Sequence, residues 1–176
     1  QTEADPLLRA IKSYQGVLFE EWNKETIWGA WGRNPTNTGL GAIGFYLYSR
    51  CMPPRVCELG VGGFCPSLKL VDTYPMAKSG RYPVTGYDNN GNPVIDKQSG
   101  YTNTGFTENF KQPGASFAPG FKAHNSCVGR DARFYASVFP NGFYWINQYK
   151  GIKQVTFFTG GSSSYLERSE EHTSEL

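Results

Sequence analysis

A glycine-rich stretch early in the chain gathers the side chains best suited to hold a ligand. It contains two tryptophans, one arginine and two asparagines, namely Trp28, Trp31, Arg33, Asn34 and Asn37. Indole rings offer flat apolar faces, and arginine and asparagine offer planar, well-oriented hydrogen-bonding groups. This combination suits the C–H faces and hydroxyl groups of sugar rings. Because loops on a rigid scaffold commonly carry function, we expect these five residues to form a binding loop.

The tryptophans also have a packing alternative. Trp28 ends a predicted strand, Glu25–Trp28, and a strand position favours the core over ligand contact. Trp31 precedes Gly32 on the loop, and binding and packing stay equal alternatives for its ring. Trp145 lies on a later predicted strand, so packing is favoured there for the same reason as at Trp28.

Catalysis has little support in the sequence. The carboxylates show no spacing that marks an acid–base pair. The histidines are His124 and His172, and no G-x-S-x-G phrase supplies a nucleophilic serine. Arg130, Asp131 and Arg133 are closely spaced, but we expect them to form a structural set of salt bridge and helix cap. The sequence therefore predicts a protein that is not an enzyme and needs no cofactor.

The cysteines do not form a metal-binding pattern. The chain has four of them, Cys51, Cys57, Cys65 and Cys127, and no two are spaced as C-x-x-C. An exported protein can form disulfides, so a Cys51–Cys57 pair, a Cys57–Cys65 pair and free buried thiols all stay open.

A cluster of acids and amides, Asp88, Asn90, Asn92 and Asp96, is spaced like a calcium loop. However, Pro93 occupies the position that needs glycine, and Ser99 the position that needs a bidentate glutamate. The sequence therefore predicts a plain hairpin turn here and no metal site.

The composition limits the class of protein. In 176 residues, aromatic residues make up 15%, and glycine (21) and proline (11) are frequent, which predicts many turns and irregular connections. The net charge of +2 is too small to indicate a nucleic-acid partner. No apolar run approaches the roughly 20 residues that a membrane-spanning helix needs.

Two helices are predicted in the first half of the chain. Asp5 can cap the first helix and Pro6 suits its first turn, and apolar residues recur at helical spacing from Leu7 to Trp22. No helix of comparable length follows, so we expect its packing partner to lie outside this sequence. The second, Leu68–Tyr74, is predicted to turn Leu68, Leu70 and Val71 inward.

The second half is predicted to alternate turns and short strands. A hairpin pairs Tyr82–Tyr87 with Pro93–Ile95, and residues 96–126 form a long polar connection that wraps the surface. Residues 129–147 give a helix that ends before Pro140, then a turn at Asn141-Gly142 and a strand. The last strand, Gln154–Thr159, is expected to pair with the strand at 143–147.

The last nine residues differ in composition from the rest of the chain. Residues 168–176 change composition abruptly and contain neither glycine nor an aromatic residue. They are read either as foreign sequence or as a solvated native tail. The domain is accordingly placed at residues 1–167, and we expect that it does not fold alone.

Five phrases, in this order and spacing, resemble the SusD/RagB family of Bacteroidetes outer-membrane lipoproteins. The resemblance depends mainly on P-x-x-x-L-V-D-x-Y-x-M at 66–76 and R-D-x-R-F-Y at 130–135. It is supported by Asn23–Ile27, the Tyr87–Val94 hairpin and Asn141–Asn147, and it covers roughly residues 10 to 165.

The resemblance implies a fold and a function. The fold would be mainly α, with irregular loops and short β-hairpins, as in the later portion of the family fold outside the tetratricopeptide-like helices. The function would be capture of glycans at the cell surface, through the Trp28–Asn37 loop, for delivery to a SusC-like TonB-dependent transporter. A lipid anchor outside this sequence would hold the protein on the outer membrane. Peptide capture is the alternative ligand class, and a fragment of a glycoside hydrolase is the weaker alternative.

Overall fold

A computed structural model describes residues 5–19, 65–115, 117–147, 151–158 and 160–162. The chain divides into two compact units, the first comprising Gln1–Thr26 with Pro66–Pro140 and the second Ile27–Cys65 with Asn141–Leu176. In the described part of the chain, no helix is long and apolar enough to cross a membrane.

The first helix, α1, spans Pro6–Phe19. The Leu7 backbone N–H donates to the Asp5 carboxylate at 2.9 Å, so Asp5 caps the helix as the sequence predicts. Ile11 is buried, and α1 packs against a short helix at Ala132–Ser137 in the same unit. A helix of only six residues thus contacts α1 within this sequence. Tyr14 and Val17 of α1 are 41% and 37% exposed, so the expectation of a packing partner outside this sequence stays a prediction.

The second helix, α2, spans Leu68–Asp72, and Ser67 caps it by accepting from the Leu70 backbone N–H at 3.2 Å. Leu68 and Leu70 are 60% and 50% exposed, so the prediction that they turn inward is wrong. The buried position belongs instead to Asp72, whose carboxylate accepts from the Tyr87 hydroxyl at 2.8 Å. Polar pairing, and not apolar periodicity, orients this five-residue helix.

The described strands form three antiparallel two-stranded hairpins. Their strands are β1 (Val84–Tyr87) with β2 (Pro93–Ile95), β3 (Phe106–Phe110) with β4 (Phe121–His124), and β5 (Tyr144–Asn147) with β6 (Gly151–Gln154). The first hairpin is confirmed. The second lies inside the stretch predicted to be an irregular connection. The last strand of the third hairpin begins and ends earlier in the chain than predicted.

These strands correct the predicted fold class. Helices and strands occupy similar shares of the described residues, so this part of the chain is not mainly α. The missed hairpin accounts for much of the difference. Its strands alternate over only a few residues, and the register shifts between Thr107 and Phe110, which interrupts the period-two pattern. A short, bulged strand gives little signal in a sequence rich in glycine and polar residues.

Arg130 belongs to the first unit and is buried, with 1% of its surface exposed. Its Nη2 donates to the backbone carbonyls of Val71 at 2.6 Å and Tyr74 at 3.0 Å, and its Nη1 to that of Ser126 at 3.4 Å. The guanidinium carbon lies 4.7 Å from the centroid of the Phe134 ring. The Arg130 guanidinium thus links the C-terminal end of α2 to the turn after β4.

The backbone joins the same two segments. Met76 and Arg130 form an antiparallel bridge. The Ala77 N–H donates to the Gly129 carbonyl, and the Asp131 N–H to the Pro75 carbonyl. The two sequence phrases on which the family resemblance depends are therefore hydrogen-bonded to each other through main chain and side chain.

Asp131 and Arg133 have the capping role that the sequence predicts. The Asp131 carboxylate caps the helix α3 (Ala132–Ser137) by accepting from the Arg133 backbone N–H at 2.9 Å, and it pairs with the Arg133 Nε at 2.7 Å. Burial acts to raise the pKa of Asp131, but the two hydrogen bonds from Arg133 outweigh it and hold the pKa below its ordinary value. Arg130 is different, since it binds carbonyls and rings.

We predict that Arg130→Met destabilises the protein much more than Arg133→Met. The first substitution removes the donors to the Val71 and Tyr74 carbonyls in a buried place, which should lower the free energy of unfolding by about 3 kcal/mol or more. The second removes an exposed ion pair and should cost less than about 1 kcal/mol. Urea unfolding of the two variants measures the difference, and equal losses would contradict the central role of Arg130.

Candidate functional site

The predicted binding loop lies outside the described residues. Trp28, Trp31, Arg33, Asn34 and Asn37 all fall in the stretch 20–64, so their role in ligand binding stays a prediction. Cys51 and Cys57 fall in the same stretch. A candidate site that can be built from atoms has to come from the rest of the chain.

The outward side of the β3–β4 hairpin carries the residue types expected of a sugar-binding surface. Phe106 is 58% exposed and lies opposite His124 in the antiparallel register. Glu108 and Lys122 join the same side, because their side chains form an ion pair. We call this set of four residues the Phe106 face.

The inward side of the same hairpin holds the face in place. Thr107 lies opposite Ala123, which is 1% exposed, and Phe110 lies opposite the buried Phe121. The Phe110 and Phe121 rings pack edge to face with centroids 5.7 Å apart. Apolar burial on one side thus leaves the other side of the strands for polar and aromatic groups.

The four side chains of the Phe106 face contact one another. The Lys122 Nζ lies 2.7 Å from the Glu108 Oε1 and 5.4 Å from the centroid of the Phe106 ring. The His124 ring packs edge to face against Phe106 with centroids 5.3 Å apart. The face therefore presents an aromatic ring, an imidazole and a paired ammonium and carboxylate within one small area.

The tautomer of His124 follows from its contacts. The Ser126 backbone N–H donates to the His124 Nδ1 at 3.4 Å, and the Ser126 hydroxyl lies 2.7 Å from the same nitrogen. A backbone N–H can only donate, so Nδ1 is an acceptor and the proton of the neutral ring is assigned to Nε2. His124 thereby caps the short 3-10 helix Asn125–Cys127 and keeps an N–H donor for a ligand.

Asn125 fixes the entry to the hairpin. Its amide oxygen accepts from the Thr107 hydroxyl at 2.7 Å, and its amide nitrogen donates to the Thr104 carbonyl at 2.8 Å. The Asn125 backbone N–H donates to the Gly105 carbonyl. The sequence gives no signal for this role, because a single asparagine in a polar stretch has no distinguishing pattern.

The acid–amide cluster at 88–96 forms a hydrogen-bonded turn. The Asp88 Oδ1 accepts from the backbone N–H groups of Asn90 and Asn92, and its Oδ2 accepts from the Asn92 side-chain amide. Asp96 pairs with Arg81 at 2.7 Å. The plain hairpin turn that the sequence predicts is confirmed, and no cluster of potential metal ligands occurs among the residues that the structure describes.

Cys127 has no features of a reactive thiol. Among the described residues it forms no disulfide, and its Sγ lies 3.7 Å from the Ser126 hydroxyl. Burial raises the pKa of the Cys127 thiol, which keeps it in the poorly nucleophilic neutral form. The pairing alternatives for Cys51, Cys57 and Cys65 stay open, since the first two lie outside the described residues.

We predict that the turn at Asp88 makes the protein sensitive to acid. Hydrogen bonds from the Asn92 side chain and backbone hold the pKa of Asp88 below its ordinary value. A lowered folded-state pKa adds stability that is fully present above an ordinary carboxyl pKa of about 4 and is lost as the pH falls through the folded value. The free energy of unfolding should therefore fall on acidification, and by less in Asp88→Asn and Asn92→Ala. Parallel pH profiles for the wild type and both variants would contradict this.

We also predict that the bulge supporting the Phe106 face needs glycine at position 120. Asn109 lies at φ 53°. A Cβ added at Gly120 would overlap the exposed Asn109 side-chain amide, which can rotate away, and would lie 3.1 Å from the Asn109 backbone carbonyl oxygen, which cannot. Gly120→Ala should cost about 1–3 kcal/mol of unfolding free energy. Gly86→Ala is the matched control on the other hairpin, because a Cβ there meets nothing within 4 Å. Thermal unfolding followed by circular dichroism compares them, and an unchanged melting temperature in Gly120→Ala would refute the packing.

Comparison with known proteins returns no relative of this chain. No protein-family model, curated protein or solved structure matches it. The residues of the chain and the geometry of the Phe106 face are therefore the basis for a functional proposal.

Proposed function

We propose that this chain is a non-enzymatic glycan-binding protein of the SusD/RagB type, which captures oligosaccharides at the cell surface for a SusC-like TonB-dependent transporter. The observation that carries the binding part of the proposal is the Phe106 face. An aromatic side chain with 58% of its surface exposed is held beside a carboxylate, an ammonium and an imidazole on a braced hairpin.

The chemistry of the face matches the chemistry of a sugar. A pyranose ring has C–H bonds that pack on an aromatic ring, and hydroxyl groups around its edge that both donate and accept hydrogen bonds. Phe106 offers the ring. Glu108 can accept from a hydroxyl, whereas Lys122 and the Nε2–H of His124 can donate to one. No reaction is required of these groups, because hydrogen bonding and stacking suffice for binding.

The family part of the proposal is supported by the sequence phrases, and the buried contacts of Arg130 give those phrases a physical meaning. Residues 66–76 supply the carbonyls of Val71 and Tyr74, and residues 130–135 supply the guanidinium that donates to them. Delivery to a transporter and a lipid anchor on the outer membrane follow from that resemblance.

Hydrolysis of the bound glycan is less well supported. Glycoside hydrolases use two carboxyl groups that flank the bond to be cleaved. Within the Phe106 face, Glu108 supplies one carboxylate, and that carboxylate is paired with Lys122. This pairing supports binding over hydrolysis.

We predict that Phe106→Ala weakens glycan binding about tenfold or more, because stacking on the ring is lost. Phe117→Ala is the matched control, since Phe117 is 59% exposed and lies outside the two strands of the hairpin. Isothermal titration against starch, xylan and mixed-linkage β-glucan measures both variants. Equal affinities for the wild type and Phe106→Ala would remove this face from the binding site.

The double variant Trp31→Ala with Arg33→Ala, titrated in the same way, tests the predicted loop. A loss of glycan affinity in this double variant, but not in Phe106→Ala, would place binding on the loop alone. Saturable binding of unstructured peptides, with none of the three glycans bound, would favour peptide capture instead.

A further inference from the structure

We propose that Glu108 sets the ligand specificity of the Phe106 face, by restricting it to uncharged glycans. This inference rests on the proposed function, because it concerns which sugars the same face accepts. It concerns the charge of the ligand, a property that the sequence phrases do not address.

The charge balance of the face carries the inference. Lys122 brings one positive charge, and the Glu108 carboxylate cancels it at 2.7 Å. This ion pair has no net charge, so it offers no attraction to a uronate or sulfate group.

The position of the Glu108–Lys122 ion pair explains why Glu108 determines whether a charged glycan binds. Lys122 lies over the Phe106 ring, at 5.4 Å from the centroid, so its ammonium is beside any sugar stacked there. An acidic group on that sugar would reach the ammonium only by displacing Glu108, and it would then lie next to a second carboxylate. Repulsion between the two carboxylates disfavours the charged ligand, whereas a hydroxyl group can hydrogen-bond to either partner.

Exposure of the pair makes the inference testable without harm to the fold. The side chains of Lys122 and Glu108 are 59% and 71% exposed, and exposed ion pairs contribute little to stability. Substitution of either residue should therefore leave a folded protein whose face carries a net charge. Glu108→Gln leaves the ammonium unbalanced, and Lys122→Gln leaves the carboxylate unbalanced, with nearly the same shape in each case.

The experiment measures a ratio of affinities. Starch, xylan and mixed-linkage β-glucan are each titrated in the neutral form and in a carboxymethylated form, and the dissociation constant of the charged form is divided by that of the neutral form. In the wild type we expect the charged form to bind about tenfold more weakly. In Glu108→Gln this ratio should fall about tenfold, and in Lys122→Gln it should rise. The gain in affinity for the charged form in Glu108→Gln should disappear at high salt, because it comes from an exposed electrostatic attraction.

The outcomes separate this inference from the proposed function. Wild-type protein that binds none of the neutral glycans would overturn the proposed function. Binding of a neutral glycan together with the same ratio in the wild type and Glu108→Gln would overturn the role of Glu108 alone. Equal binding of charged and neutral forms by the wild type would also overturn it. Circular dichroism and the melting temperature confirm that both variants are folded.

Discussion

A single buried cation organises the described part of the first unit. Arg130 is 1% exposed, and its guanidinium meets carbonyl oxygens and aromatic faces where a buried charge would more often meet a carboxylate. Carbonyls at the end of a helix carry partial negative charge. α2 also carries the buried Asp72 carboxylate, whose negative charge acts to raise the pKa of Arg130 against the lowering caused by burial. The Nε of Arg130 has no hydrogen-bond partner among the described residues, and an unsatisfied buried donor is a cost that the other contacts must offset.

A chain of contacts leads from this cation to the Phe106 face. Arg130 donates to the Ser126 carbonyl, the Ser126 hydroxyl lies 2.7 Å from the His124 Nδ1, and the His124 ring packs against Phe106. The contacts run from the buried Arg130 through the half-buried Ser126 and His124 to the exposed Phe106. An isolated two-stranded hairpin is marginally stable in water. These contacts, with Phe121 and Ala123 on the inward side, give the outward side a fixed geometry.

The sequence predicted the elements that have strong local signals. The cap at Asp5, the turn at Asp88 and the cap at Asp131 each depend on a few neighbouring residues, and each is confirmed. The orientation of α2 and the β3–β4 hairpin depend instead on distant groups. Leu68 and Leu70 have an apolar pattern that favours burial, but Tyr87, fifteen residues after Asp72, determines which side of the helix turns inward. No local pattern contains that information.

The difference between local sequence signals and contacts with distant residues also explains why a candidate site could appear in a stretch with no predicted structure. On the inward side of the hairpin, the buried positions Ala123 and Phe121 tolerate few substitutions, because a change of side-chain size there disturbs packing. On the outward side, Phe106 and Glu108 carry little of the fold, so their chemistry can vary while the hairpin stays intact. Such a separation lets the chemistry of the outward side change without loss of stability. The hairpin provides it in two short strands whose inner residues hold the fold and whose outer residues would contact the ligand in the proposed function.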